Sequence, residues 1–120
     1  MKDSLFAGVE GASRHTVTAA MSPPHLPRVV LSTPAMIQLI EMTCLAAAQE
    51  HLDEGETTVG THVCVSHLEA VMEGEAFDVS CRLTAVTKRR LTFEVSVTGP
   101  RGVISEGTHE RAVVSLDRMG

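Results

Sequence analysis

The stretch Thr33-Pro34-Ala35-Met36-Ile37-Gln38-Leu39-Ile40-Glu41-Met42-Thr43-Cys44-Leu45-Ala46-Ala47-Ala48-Gln49-Glu50-His51-Leu52 decides the architecture. It opens with a hydroxyl that can cap free backbone N–H groups, followed by a proline whose fixed φ and missing N–H suit a first helical turn. Most of the remaining residues are Leu, Met, Ile, Ala, Gln and Glu, all strong helix formers apart from Ile. The sequence therefore predicts a helix from Pro34 to about Leu52, capped by Thr33 and ended by Asp53-Glu54-Gly55-Glu56. Its apolar residues (Met36, Ile37, Leu39, Ile40, Met42, Cys44, Leu45 and Ala46 to Ala48) cover nearly the whole circumference. A helix apolar all round in a soluble chain is an enclosed one. It is no membrane span, because Gln38, Glu41, Thr43, Gln49, Glu50 and His51 interrupt it, whereas a bilayer needs ~20 nearly unbroken apolar residues.

Everything after the helix reads as strand. Thr57 to Ala70 is β-branched and apolar on both faces in its middle, as expected of a central strand. Phe77, Val79, Cys81, Leu83 and Ala85 alternate with polar residues, and Leu91, Phe93, Val95 and Val97 do the same, so each strand has one wet face. Lys88-Arg89-Arg90 makes a tight connection and Gly99-Pro100-Arg101-Gly102 the next turn. Val103 to Leu116 is the last strand, with Gly107 marking a bulge or a close backbone approach. Before the helix, His15 to Ala19 reads as a short strand, and Ser22-Pro23-Pro24-His25-Leu26-Pro27 must be loop.

The order is β-α-β-β-β-β. An all-round apolar helix and a one-faced antiparallel sheet bury each other most economically when the sheet curls around the helix. That α+β arrangement is the hot-dog fold. It leaves a sheet edge open, so a homodimer, with room for higher oligomers, is expected. Residues 1–120 are read as a single domain, with 1–13 expected to be poorly ordered.

Net charge −5 offers no basic stripe for nucleic acid, and the N-terminal Met1-Lys2-Asp3-Ser4-Leu5-Phe6 lacks the apolar run of a signal peptide. Cys44, Cys64 and Cys81 are odd in number and sit within apolar patterns, as small buried hydrophobes of a reducing compartment do. A cytoplasmic location is the expectation.

Several side chains could carry chemistry. Glu41, mid-helix among Leu39, Ile40 and Met42, is either a desolvated carboxylate suited to general-base or nucleophilic work or a residue on a solvent stripe. His67 is either a core histidine or a proton carrier. His62 and Cys64 share a face, but nothing completes a metal set. Thr33 and Glu41 are eight residues apart, roughly 12 Å along a helix axis. If both serve one site, the substrate spans them or a second subunit contributes. Arg111, Arg89 and Arg90 are candidate phosphate or carboxylate binders, against a bland reading of Arg89 and Arg90 as solvated charges.

Three segments taken together carry a resemblance: Ser32-Thr33-Pro34 running into Leu39-Ile40-Glu41-Met42-Thr43-Cys44, then Gly60-Thr61-His62-Val63-Cys64-Val65-Ser66-His67, then Gly107-Thr108-His109-Glu110-Arg111-Ala112-Val113. They are similar to the fluoroacetyl-CoA thioesterase family of hot-dog proteins, from about His15 to Met119, and Lys88-Arg89-Arg90-Leu91 fits as well. The resemblance implies hydrolysis of a short-chain acyl-CoA thioester by Thr33, Glu41 and His67. Glu41 would attack the carbonyl or activate water, Thr33 would hydrogen-bond the reacting group, and His67 would assist proton transfer. Gly60 would bring its backbone to the thioester and Arg111 would help bind substrate. No metal or other cofactor is implied, CoA entering with the substrate. The segment Pro23 to Leu31 lacks the aromatic lid residues that the family's fluoroacetyl-CoA enzyme carries there. Three rival readings are a non-catalytic acyl-CoA or small-ligand binding module, a purely structural dimer whose Glu41 is a solvated or paired acid, and a hot-dog hydratase or dehydratase. For the last, Pro24-His25 lacks the upstream Asp of the usual pattern.

Overall fold

A computed structural model describes residues 1–119. Five antiparallel strands form one sheet: β1 (Glu10–Thr16), β2 (Glu56–Val65), β3 (Ala76–Thr87), β4 (Arg90–Gly99) and β5 (Gly102–Ser115). Their spatial order is β1-β3-β4-β5-β2, and the helix α1 (Thr33–Gln49) lies across one face. The core joins Met36, Ile40, Cys44 and Ala48 of the helix to Phe77, Val79, Leu83, Leu91, Phe93 and Val97 of the sheet. The alternation in β3 and β4 puts their apolar residues on this inner face as expected. Extra residues at Thr61, Thr84 and Ile104 break the pairing registers and bend the sheet round the helix. The hot-dog architecture is thus present, in the predicted element order.

Several details differ from expectation. The helix cap is Ser32, whose hydroxyl accepts the Ala35 N–H at 3.1 Å; Thr33 is already inside the first turn. The helix ends at Gln49, three residues before Leu52. It is not enclosed within one chain: Gln38, Met42 and Ala46 are exposed. A single sheet covers only one side of a cylinder, so uniform hydrophobicity overstated its burial.

The first strand runs from Glu10 to Thr16 and not from His15, because its inward residues are Gly11, Ser13 and His15, too polar to show an alternation. Gly11 is required there: a Cβ would stand 2.8 Å from the Ala47 Cβ. Residues 1–13, expected to be poorly ordered, pack against the domain through buried Leu5 and through Gly8 and Val9, which exchange backbone hydrogen bonds with Leu83.

The strand predicted as central is an edge. β2 ends at Val65, and its outer side has no strand partner among the described residues. The bulge at Thr61 shifts the alternation, which gave the sequence its two-faced look. Cys64 consequently points outward and is exposed, whereas Cys44 and Cys81 are buried as expected. At Gly107 the approach is of backbone to backbone: a Cβ would collide with the Cys64 carbonyl, and Val65 Cα would lie 2.8 Å away.

Among the described residues no helix is long and apolar enough to cross a membrane.

Candidate active site

Glu41 leaves the middle of α1 toward the junction of β2 and β5, with its side chain 38% exposed. Beneath it lies Gly60, paired across the ladder with Arg111. The carboxylate comes so close that a Cβ on Gly60 would overlap Glu41 Oε1. Only glycine lets a helix side chain settle directly on strand backbone here. The bulge at Thr61 comes immediately after it and re-aims the strand.

Two buried side chains from β5 complete this group. Arg111 donates from Nε to Thr58 Oγ1 at 2.7 Å, from Nη2 to the Thr58 carbonyl at 3.0 Å and from Nη1 to His109 Nε2 at 3.1 Å. Its Nη1 stands 3.9 Å from Glu41 Oε1. His109 has no exposed surface, and its Nδ1 donates to the His62 carbonyl at 2.7 Å. Burial holds its pKa below the ordinary histidine value, and the Arg111 charge adds to that, outweighing the His62 bond and the Glu41 charge. Burial likewise opposes the charge of Arg111, while Glu41 supports it.

A second group forms at the start of the helix. Because Ser32 provides the cap, the Thr33 hydroxyl is free, and its Oγ1 lies 2.7 Å from Nδ1 of His67. His67 sits beyond the end of β2 in a segment tied to β5 by Ser66 N–H to Glu106 O and Leu68 N–H to Ile104 O. A cavity of about 420 Å³ opens beside this pair, walled by Leu26, Val30, Leu31 and Leu68.

The structure therefore joins Thr33 to His67, and Glu41 to Gly60 and Arg111, as two groups separated along one helix. Arg111 is buried, so within one chain it faces Glu41 and not solvent. Arg89 is tied to the Val113 carbonyl at 3.0 Å and to Glu56 at 3.2 Å, while Arg90 is exposed. His62 and Cys64 share the exposed outer face of β2, where His62 meets Glu110 at 3.6 Å. His109 is the member of the group that sequence reasoning misses. Its signal is present, since it stands two residues before Arg111 and a strand places such residues on one face.

Known proteins sharpen this picture. Residues 7–117 match the family described as fluoroacetyl-CoA-specific thioesterase. A fluoroacetyl-CoA thioesterase of Streptantibioticus cattleyicolor is 38% identical over 90 residues, which cover 75% of this chain and 65% of that protein, just under two thirds of its length. A solved structure of the fluoroacetyl-CoA thioesterase FlK superposes with a TM-score of 0.90 at 31% identity, covering 98% of this chain and 93% of that one. A hot-dog-like protein from Thermanaerovibrio acidaminovorans, 21% identical over 94% of this chain and 86% of its own, shares the fold with a TM-score of 0.87. With nearly the whole chain matched and the fold superposed, this hot-dog protein belongs to the fluoroacetyl-CoA-specific thioesterase family.

Proposed function

We propose that this protein is an acyl-CoA thioesterase that releases CoA and a free acid from a short-chain acyl-CoA. The observation that carries the reading is the Glu41 carboxylate lying on the side-chain-free backbone of Gly60, beside buried Arg111. A thioester carbonyl docked against Gly60 would have a carboxylate within reach. Net hydrolysis forms a C–O bond from water and breaks the C–S bond. Glu41 serves it either by taking the proton of the attacking water or by adding to the carbonyl itself, to give an anhydride that water then opens. Thr33 hydrogen-bonds the reacting oxygen, as an oxyanion donor does, and His67 carries the proton to the departing sulfur. Arg111 faces Glu41 with three of its five N–H donors engaged by Thr58 and His109, and its charge supports the carboxylate there; exposed Arg90 is a contact for CoA phosphates. No cofactor enters the scheme.

The separation of the two groups is met by a homodimer. A second copy added antiparallel to the free edge of β2 would bring Thr33 and His67 of one subunit toward Glu41 of the other.

The test is thiol release from a panel of short-chain acyl-CoAs, fluoroacetyl-CoA included, by wild type and Glu41→Gln. Turnover that disappears in a folded Glu41→Gln is expected. Full rates in that variant overturn the assignment of Glu41, and tight binding without product on every substrate would make the protein a binding module.

A further inference from the structure

His109 takes no part in the hydrolytic scheme, yet it is a fully buried ionisable side chain whose Nε2 lies 4.0 Å from Glu41 Oε1. Its protons can be placed from its partners. A carbonyl only accepts, so the 2.7 Å contact with His62 O requires hydrogen on Nδ1. A guanidinium only donates, so the 3.1 Å contact with Arg111 Nη1 requires a lone pair on Nε2. His109 is therefore the neutral Nδ1–H tautomer. It sits between three elements, facing Arg111 of its own strand, the His62 backbone of β2 and Glu41 of α1.

This ordering determines what Arg111 offers to Glu41. Nε and one hydrogen of Nη2 are committed to Thr58, and one hydrogen of Nη1 is committed to His109, so the end of the guanidinium nearest Glu41 is held by His109 alone. Glu41 Oε1 then stays at 3.9 Å from Nη1, beyond hydrogen-bond distance. An unrestrained guanidinium at this distance would close on the carboxylate, since charge-assisted pairs are among the strongest of hydrogen bonds. A carboxylate so captured would have fewer lone pairs for a water or a carbonyl.

We propose that His109 is a positioning residue that restrains the Arg111 guanidinium, keeping its charge beside Glu41 while leaving the carboxylate free above Gly60. The proposal rests on the reading of Glu41 as the catalytic carboxylate.

Two substitutions separate this role from a structural one. Asn places an N–H near the Nδ1 position and keeps the His62 bond, but offers Arg111 nothing. Gln places an oxygen near the Nε2 position and keeps the Arg111 bond, but leaves the His62 carbonyl unpaired. The expectation for His109→Asn is a melting temperature near wild type, kcat reduced about 10- to 100-fold, the scale of a misplaced catalytic group, and KM little changed. His109→Gln should melt lower yet keep the larger part of kcat. Activity that follows melting temperature, with Asn the more active variant, would mean a merely structural histidine and would overturn the proposal.

Two further readouts do not depend on turnover. ¹⁵N NMR of wild type should find Nδ1 of His109 protonated and Nε2 unprotonated at neutral pH. A crystal structure of His109→Asn should find Arg111 Nη1 within hydrogen-bond distance of Glu41. A protonated Nε2, or an unmoved Arg111, overturns the proposal. Absence of CoA release by wild type would instead overturn the thioesterase reading, leaving these two results to decide the restraint.

Discussion

Gly60 and Glu41 compete for the same space: the carboxylate oxygen lies inside van der Waals contact of the position a β-carbon on residue 60 would take. His109 Cε1 at 3.3 Å and Arg111 Nη1 at 3.4 Å are the next atoms such a β-carbon would meet. The helix and strand can be this near only because one of them brings no side chain. Gly60→Ala is therefore expected to displace Glu41 without unfolding the sheet, since residue 60 is itself exposed. Its kcat should fall about 10- to 100-fold, as expected when a catalytic group is misplaced by an ångström, with melting lowered by only a few degrees. Steady-state kinetics and a thermal scan on the same preparation check this, and an unchanged kcat would show that the carboxylate has room to spare.

Capping and chemistry fall on adjacent residues, so they can be separated. Ser32→Ala removes the bond to Ala35 N–H and should cost ~1 kcal/mol, with CoA release preserved. Thr33→Ala leaves the cap in place but removes the partner of His67, so it should lose turnover while melting near wild type. Thr33→Ser should restore part of that activity. Equal stability losses in the two alanine variants would contradict the assignment of the cap.

A shared site predicts complementation. If Thr33 and His67 of one subunit serve Glu41 of the other, a Thr33→Ala chain and a Glu41→Gln chain, each inactive alone, form a mixed dimer with one intact site. Random reassortment makes half the dimers mixed, so about one quarter of wild-type activity should return on unfolding and refolding the two together. No recovery would place each complete site within a single chain.

Acid should destabilise the protein in two windows. His109 is held neutral by burial, with its folded pKa below the usual value near 6.5. The unfolded state then binds the extra proton first, so this contribution is complete above about pH 6.5 and is lost as pH falls below it. Glu75, paired with Arg101 at 2.8 Å, has its pKa lowered to about 2 from 4.5. Its contribution is present above about 4.5 and is lost as pH falls toward 2. Being on the surface, the second effect should be the smaller. Urea midpoints measured from pH 8 to 3 should show the upper slope vanish in His109→Asn and the lower one weaken in Arg101→Gln.

The element order and most of the core could be read from the sequence because the helix and the strands β3 and β4 carry strong, unmixed periodicities. Phe77 to Leu83 and Leu91 to Val97 alternate cleanly and are buried accordingly. β1 could not be read so well, since Gly11, Ser13 and His15 face inward without being apolar. β2 looked central because the bulge at Thr61 places apolar residues on both sides of a strand that is an edge. At the site, Glu41, His67 and Thr33 could be picked out from residue type and position, and the resemblance supplied Gly60 and the joint role of the set. The eight-residue spacing of Thr33 and Glu41 already implied that they would not meet within one helix. What the residues could not disclose was the burial of Arg111 or its hydrogen bond to His109, because the depth of a side chain in a curled sheet depends on bulges that no periodicity reports.

The sheet order also has a meaning in time. β3, β4 and β5 succeed one another through short turns and pair with their chain neighbours, the cheapest contacts for a chain to close. β1 and β2 flank this meander, and each must return over a long separation, with the helix between them in the chain. Every residue of the Thr33, Glu41, Gly60 and His67 set lies on the helix, on β2 or just beyond it. The three-stranded meander is accordingly the part that can form early and persist, and the reactive groups are mounted on the parts that dock onto it. Mild denaturation should therefore silence the protein while the amides of β3 and β4 are still protected from exchange.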